Sequence, residues 1–263
     1  MSLLLAVTPE APAALVPLQI NSDSFLILSE GGFASASTLG MVIATGAGLF
    51  WTICYICVIV HGFREKRPMI PAVAILLNVG WEVASVFGWG SYEPGMRYAS
   101  LVWFGIDLII VYQLFRFGGA HQRVNELKHR WYWAISLGVL FSAGGHLLFA
   151  SYNGDAFGLE DSYLINLVMS ILFIGMYFTY QDASKLARWI AWTKMLGTLC
   201  GSIGVTILLN TMAASPRAMW PNNLGFLYYL MIGCFVFDVA YIRILSRGRS
   251  VGAAKAAVVP AGV

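Results

Sequence analysis

The chain has 263 residues, 59% hydrophobic and 11% charged, with a mean hydropathy of +0.72 and a formal net charge of +3. That balance excludes a soluble globular domain, gives no support to nucleic-acid binding, and describes a chain dissolved in lipid. The four cysteines, Cys54, Cys57, Cys200 and Cys234, all fall inside apolar runs, so the Cys54-Tyr-Ile-Cys57 spacing reads as packing residues and not as an accessible redox or metal pair.

Residues 1–37 hold Glu10, Asp23, Glu30 and several prolines but no Lys or Arg, and form an extramembrane arm in this reading. No basic region precedes the short apolar run at the N-terminus, so no cleaved signal peptide is expected. The first span is predicted over 38–63 and ends in the basic turn Arg64-Glu-Lys66-Arg67-Pro68. The second covers 69–90, with Pro68 and Pro71 near its start, where a missing N–H costs least. The third covers 98–117, followed by Gly118-Gly119 and a basic polar loop to Arg130. The fourth covers 131–152 and leads into an acidic loop with Asp155, Glu160 and Asp161. The fifth covers 162–181, the sixth 189–212 and the seventh 224–245. Each is near the roughly 20 apolar residues that a helix needs to cross a bilayer. The expected fold is therefore all-α: a seven-helix transmembrane domain over 38–246 and a disordered cytoplasmic tail over 247–263.

Fourteen Lys and Arg residues, Lys194 among them, fall on one side of this topology and only Arg97 and Arg217 on the other. The positive-inside rule then places the N-terminus outside and the C-terminus in the cytoplasm. Trp89, Tyr92, Trp131, Trp133, Trp189, Trp192 and Trp220 lie near predicted span ends, as an interfacial belt requires. Gly197 and Gly201, four apart, should let a neighbouring helix approach closely. The chain shows no internal repeat or inverted half-symmetry of the kind common in transporters.

Three acids, Glu82, Asp107 and Asp238, sit inside spans, where a carboxylate costs roughly 2.5–3.5 kcal/mol. At a rise of about 1.5 Å per residue, Glu82 and Asp107 both lie about 12–14 Å below the outer surface, and Asp238 about 21 Å. An upper acid pair and a lower acid are thus expected to bracket a cavity about as long as a folded prenyl chain. Asn78, Glu82, Ser85 and Trp89 share one helix face, Trp103 and Asp107 a second, and Met231, Phe235, Asp238 and Tyr241 a third. Aromatic faces attract cations without acting as nucleophiles, so rings around a proton donor suit acid-started carbocation chemistry as well as core packing. Asn78, Asn166 and Asn210 also serve as interhelical hydrogen-bonding groups, and His146 as a structural or a chemical one.

Asn78-Val-Gly-Trp81-Glu82-Val, Leu101-Val-Trp103-Phe-Gly-Ile-Asp107, Phe115-Arg-Phe117-Gly118 and Phe237-Asp238-Val-Ala-Tyr241-Ile, in this order, resemble the transmembrane terpene cyclases of fungal meroterpenoid and indole-diterpene pathways and their bacterial relatives acting on prenylated indole compounds. The resemblance covers about residues 38–246; Ala84-Ser85-Val86 stands where the fungal pattern often has a Tyr. It implies that Glu82 and Asp238 match the two acids regarded as essential in the family, and Asp107 the acid of its third span. It further implies a hydrophobic prenylated substrate, with a membrane-associated prenyltransferase supplying it.

The residues and the resemblance together give one expectation. Glu82 protonates a terminal alkene or an epoxide of an attached prenyl chain, with Asp107 as its neighbour; Asp238 assists, orients or takes the last proton; and Asn78, Trp81, Trp89, Trp103, Phe235, Tyr241 and His146 line the substrate. No Asp-Asp-x-x-Asp cluster is present to hold the magnesium of a diphosphate-ionising cyclase, so neither metal nor cofactor is expected. The alternative is a proton-coupled transporter using the same acids. A retinal protein would need a Schiff-base lysine in the seventh span, which has none. The Ala-, Gly- and Val-rich tail points to a bacterial plasma membrane.

Overall fold

A computed structural model describes residues 38–87, 94–122, 124–155, 157–211 and 224–258, the side chains of 94–99, 211 and 249–258 excepted. The N-terminal arm, Trp89, Tyr92 and Trp220 lie outside the described residues. The described chain is helical: α1 (Thr38–Glu65), α2 (Ala72–Phe87), α3 (Pro94–Phe117), a 3₁₀ turn (Gly118–His121), the short α4 (Asn125–His129), α5 (Trp131–Asn153), α6 (Leu159–Tyr180), α7 (Lys185–Thr211) and α8 (Leu224–Val258). Six of these are long and apolar enough to cross a membrane, and α2 is a shorter apolar helix. Together they correspond to the seven predicted spans. The sixth span begins earlier than expected, at Lys185, and α8 runs on to Val258, into residues assigned from sequence to a disordered tail.

Polarity is inverted relative to a soluble protein. Phe141, Leu148, Val102, Phe178 and Ile232 face outward, whereas Glu82, Asp107, Lys194 and Asp238 are buried. With no water in a bilayer to solvate them, polar side chains gain only by turning toward one another.

The short helix α2 is the centre of one half of the bundle, packing on α3, α5 and α6. Pro71 precedes it, and its carbonyl accepts the Ile75 N–H at 3.1 Å. Gly80 lets α5 come very close: a Cβ there would overlap the Ser142 side chain and lie 2.9 Å from the Ala143 backbone nitrogen. In the other half, α1 packs chiefly on α7, and α6 and α7 pack on α8. The approach expected at Gly197 and Gly201 is made by α1, with Gly197 under the Trp51 ring and a Cβ at Gly201 lying 3.5 Å from that of Ala47; Gly204 extends it against the Ala44 backbone.

Two interfacial expectations divide. Trp133, Trp189 and Trp192 are exposed, but Trp131 is buried, donating its Nε1–H to the Leu114 carbonyl at 2.9 Å. Trp131 is a packing residue, because Gly118 and Gly119 leave a seat for its indole. All four cysteines are free, with Cys54 and Cys234 fully buried.

Candidate active site

The upper centre forms where α1, α2 and α3 meet. Asn78 Nδ2 donates to Asp107 Oδ2 at 2.5 Å and to the Tyr55 hydroxyl at 2.9 Å, with Glu82 Oε1 farther off at 3.4 Å. Because an amide has only two N–H hydrogens, the two shorter contacts take both. The Glu82 and Asp107 carboxyls are within hydrogen-bonding reach of each other, and both residues are buried. Positions 78 and 82 share a face of α2 because they are four apart, and Tyr55 reaches the cluster from the inward stripe of α1. Among the described residues no cation contacts this cluster.

The lower centre has a different charge balance. Asp238 Oδ1 receives the Lys194 ammonium at 2.7 Å, and the same ammonium donates to Ser170 Oγ at 2.6 Å. Lys194 Nζ also lies 5.5 Å from the centre of the Trp51 ring. By sequence Lys194 counts with the cytoplasmic-side charges, near the start of the predicted sixth span. It instead lies nine residues inside α7, about 14 Å along the helix, and is only 1% exposed.

Trp51 and Tyr55, one turn apart on α1, join the two centres. Their ring centres are 5.7 Å apart, with Trp51 beside Lys194 and Tyr55 bonded to Asn78. A continuous line of contacts therefore runs Asp238, Lys194, Trp51, Tyr55, Asn78, Glu82 and Asp107. Trp51, Tyr55, Ser170 and Lys194 were all missed as site residues. The i, i+4 spacing of Trp51 and Tyr55 was the only signal for the aromatic pair.

The remaining predicted residues scatter. Trp81 turns from Glu82 toward Ala84, Ala150 and Ile165, over the left-handed Gly158, where φ is +64° and a Cβ would strike the indole. Half-buried Trp103 packs beside Gly48 of α1. Tyr241 packs on Phe173 with ring centres 5.5 Å apart. His146 Nδ1 contacts both carboxyl oxygens of Asp161 at 2.8 Å. Asp161, placed in a loop from sequence, is thus a buried partner on the first turn of α6. Asn166 bonds Thr198 across helices at 2.9 Å, whereas Asn210 bonds the Thr206 carbonyl of its own helix.

Two cavities stand out among the described residues. The larger, about 380 Å³, lies between α7 and α8 and is lined by residues including Thr198, Ser202, Tyr228, Met231, Ile232 and Phe235. A narrow crevice near the basic end is lined by residues including Arg67, Asp182 and Tyr241. Neither includes Glu82, Asp107 or Asp238, and the contacts through Trp51, Tyr55 and Asn78 run directly between the two centres. Among the described residues no group of three His, Cys, Asp or Glu side chains is placed to hold a metal ion.

Two carboxyls outside the spans secure the loops. Burial alone would push the Asp182 carboxyl up, but hydrogen bonds from His61 and from the Ser184 backbone and hydroxyl overcome it and hold it well below the usual range. Arg67 adds an ion pair to Asp182 at 2.9 Å and covers the Tyr180 ring at 4.5 Å, closing the basic end. Burial pushes Asp155 up to about 6, even though the Leu159 and Asp161 backbone N–H groups donate to it.

The family of Pyr4-like transmembrane terpene cyclases matches residues 31–249. The chain is 21% identical over 219 residues to the terpene cyclase pyr4 of Aspergillus fumigatus, covering 77% of this chain and 83% of that one. It is 25% identical over 182 residues to the Pyr4-family terpene cyclase mfmH of Annulohypoxylon moriforme, covering 69% and 63%. It is 23% identical over 205 residues to asnovolin H synthase nvfL of Aspergillus novofumigatus, covering 75% and 79%. These relatives are fungal and lend no support to a bacterial plasma membrane. No solved structure matches the chain.

Proposed function

This chain belongs to the Pyr4-like transmembrane terpene cyclases, and from that premise we propose that it cyclises a prenyl chain already attached to an acceptor, starting the reaction by proton transfer from the Glu82–Asp107 pair. The observation that carries this reading is the buried cluster of Asn78, Glu82 and Asp107, two carboxyls within reach of one another with no cation in contact among the described residues. Two such groups in a low-dielectric core do not both hold a negative charge, so the pair keeps a proton to give.

The acceptor of that proton is the terminal alkene or an epoxide oxygen of the prenyl chain. The resulting cation closes rings against the faces of Tyr55 and Trp51, which stabilise positive charge without bonding to it. Exclusion of water by the bundle prevents early quenching. Because contacts run directly between the two centres, the substrate makes its room by parting side chains along Trp51 and Tyr55 of α1, from the upper centre to the lower. The same charge asymmetry of the loops supports a cytoplasmic basic end and an external N-terminus.

The test is expression in membranes fed with farnesylated acceptors, with and without a terminal epoxide, in deuterated water. The expected product is an isomer of the substrate skeleton carrying a single solvent deuteron, and Glu82→Gln lowers its formation about 10²–10⁴-fold. Undiminished product from both Glu82→Gln and Asp238→Asn would rule the roles out. Uptake into proteoliposomes without chemical change would favour the transporter reading.

A further inference from the structure

We propose that Asp238 is the base that ends the cyclisation and that Lys194 is the positioning residue that fixes it in that role. This inference rests on the reading of the chain as a proton-initiated cyclase and adds to it the fate of the last proton.

An ammonium has three N–H donors. On Lys194 one meets Asp238 Oδ1 at 2.7 Å and one meets Ser170 Oγ at 2.6 Å, leaving a third near the Trp51 ring face. Ser170 spends its own hydrogen on the Asn166 carbonyl at 2.8 Å and so offers Lys194 a lone pair. The ammonium is therefore held from three directions. Asp238 is not: its Oδ2 is buried and has no hydrogen-bond partner among the described residues.

The two acid centres thus have opposite characters. The upper one has two carboxyls and no cation, whereas the lower one has a carboxylate, a cation and one unoccupied oxygen. Groups of one chemical type in environments that differ in this way divide into acid and base. A buried ion pair is also a poor way to stabilise a fold, since well-packed apolar residues do as well or better. Its presence in a span is accounted for if the reaction needs a charged acceptor there.

A C–H bond next to the cationic carbon breaks, its electron pair becomes the new alkene π bond, and the proton passes to Asp238 Oδ2. The upper pair has supplied a proton and the lower carboxylate has received one, so the product is an isomer of the substrate. Lys194 keeps Oδ1 engaged and draws charge from the carboxylate, which disfavours collapse of the cation onto it as an ester.

The experiment compares wild type with Lys194→Met, Lys194→Arg and Ser170→Ala in nanodiscs, using whichever farnesylated acceptor the wild type turns over. If wild type turns over none, the reading of the chain as a prenyl cyclase fails, a result distinct from those that follow. Lys194→Met is expected still to consume substrate and take up solvent deuterium, while the ratio of the normal alkene to misplaced alkenes and water-quenched alcohols falls roughly ten- to hundredfold. Lys194→Arg restores the ratio. Ser170→Ala, which keeps both charges and serves if Lys194→Met does not fold, shifts the ratio the same way by a smaller factor. The proposal is overturned if folded Lys194→Met stops consuming substrate, or if neither Lys194→Met nor Ser170→Ala alters the ratio.

Discussion

Asn78 is the joint of the upper centre, and replacing it tests the geometry directly. Asn78→Leu keeps the size of the side chain but removes the donor to both Asp107 Oδ2 and the Tyr55 hydroxyl. A buried acceptor left without a partner costs about 1–3 kcal/mol, and more when charged. Interhelical bonds inside membranes, however, average only about 0.6 kcal/mol and reach about 1.7. The Asp107 contact is the shorter and its acceptor is fully buried, so it belongs near the top of the membrane range, whereas Asn78 itself is half-buried and gives some of the cost back. The expected loss is about 2 kcal/mol, measured by titrating unfolding with SDS in mixed micelles. Asp107→Leu removes the other partner of the same bond. Because exchanging both members for apolar groups is nearly neutral, the double variant should lose less than the two singles combined, by about 1–2 kcal/mol. Tyr55→Phe, which takes away one acceptor only, should cost about 0.5–1.5 kcal/mol. Additivity of Asn78→Leu and Asp107→Leu within about 0.5 kcal/mol would show that the two side chains do not interact and would refute the cluster.

Gly80→Val forces α2 away from α5 and should destabilise by about 1–3 kcal/mol, with Ser142→Gly recovering part of the loss in the same unfolding assay. His146→Leu removes the imidazole that meets both carboxyl oxygens of Asp161, so it should lower thermal stability while leaving KM for the prenylated substrate unchanged; a raised KM at unchanged stability would return His146 to the substrate site. For Asp182 the folded value lies below the unfolded one of about 3.9, so its contribution is present above that pH and is lost as pH falls toward the folded value. The melting-temperature gap between wild type and Asp182→Asn should accordingly be open at neutral pH and narrow below about pH 4. Asp155 runs the other way: its contribution is complete below about 3.9 and is lost as pH rises through about 6, so wild type should lose ground to Asp155→Asn over that interval.

The upper pair was legible from counting alone. Glu82 and Asp107 stand on consecutive spans at one depth, and hairpin geometry leaves little choice about their meeting. Lys194 was not legible as a site residue, because it lies only five residues inside the predicted sixth span and, following Lys185 and Arg188, counts with the basic charges of the cytoplasmic side. The α7 helix starts at Lys185, one turn before the expected Trp189, which sets Lys194 a turn deeper than the predicted span end implied. Asp161 was lost the same way, in a run of acids that straddles a loop and the first turn of α6. The direction in which Trp81 points was hidden for another reason. Helical spacing puts it beside Glu82 in sequence but on a different face, and what draws it away is Gly158, far along the chain. The link between the acid centres runs through Trp51 and Tyr55, whose role depends on α1 packing against α7, a pairing that no local pattern reveals.

The hidden lysine has a consequence for how the protein is made. When α7 leaves the ribosome its ammonium has no counter-charge, because Asp238 belongs to a helix synthesised afterwards, and a lone lysine at such depth is penalised by roughly 2.5–3.5 kcal/mol during insertion. That penalty favours entry of the last two helices as a neutralised hairpin over entry one by one. A nascent chain halted before α8 should leave α7 poorly inserted, and restoring the final helix, with its aspartate, should draw it in.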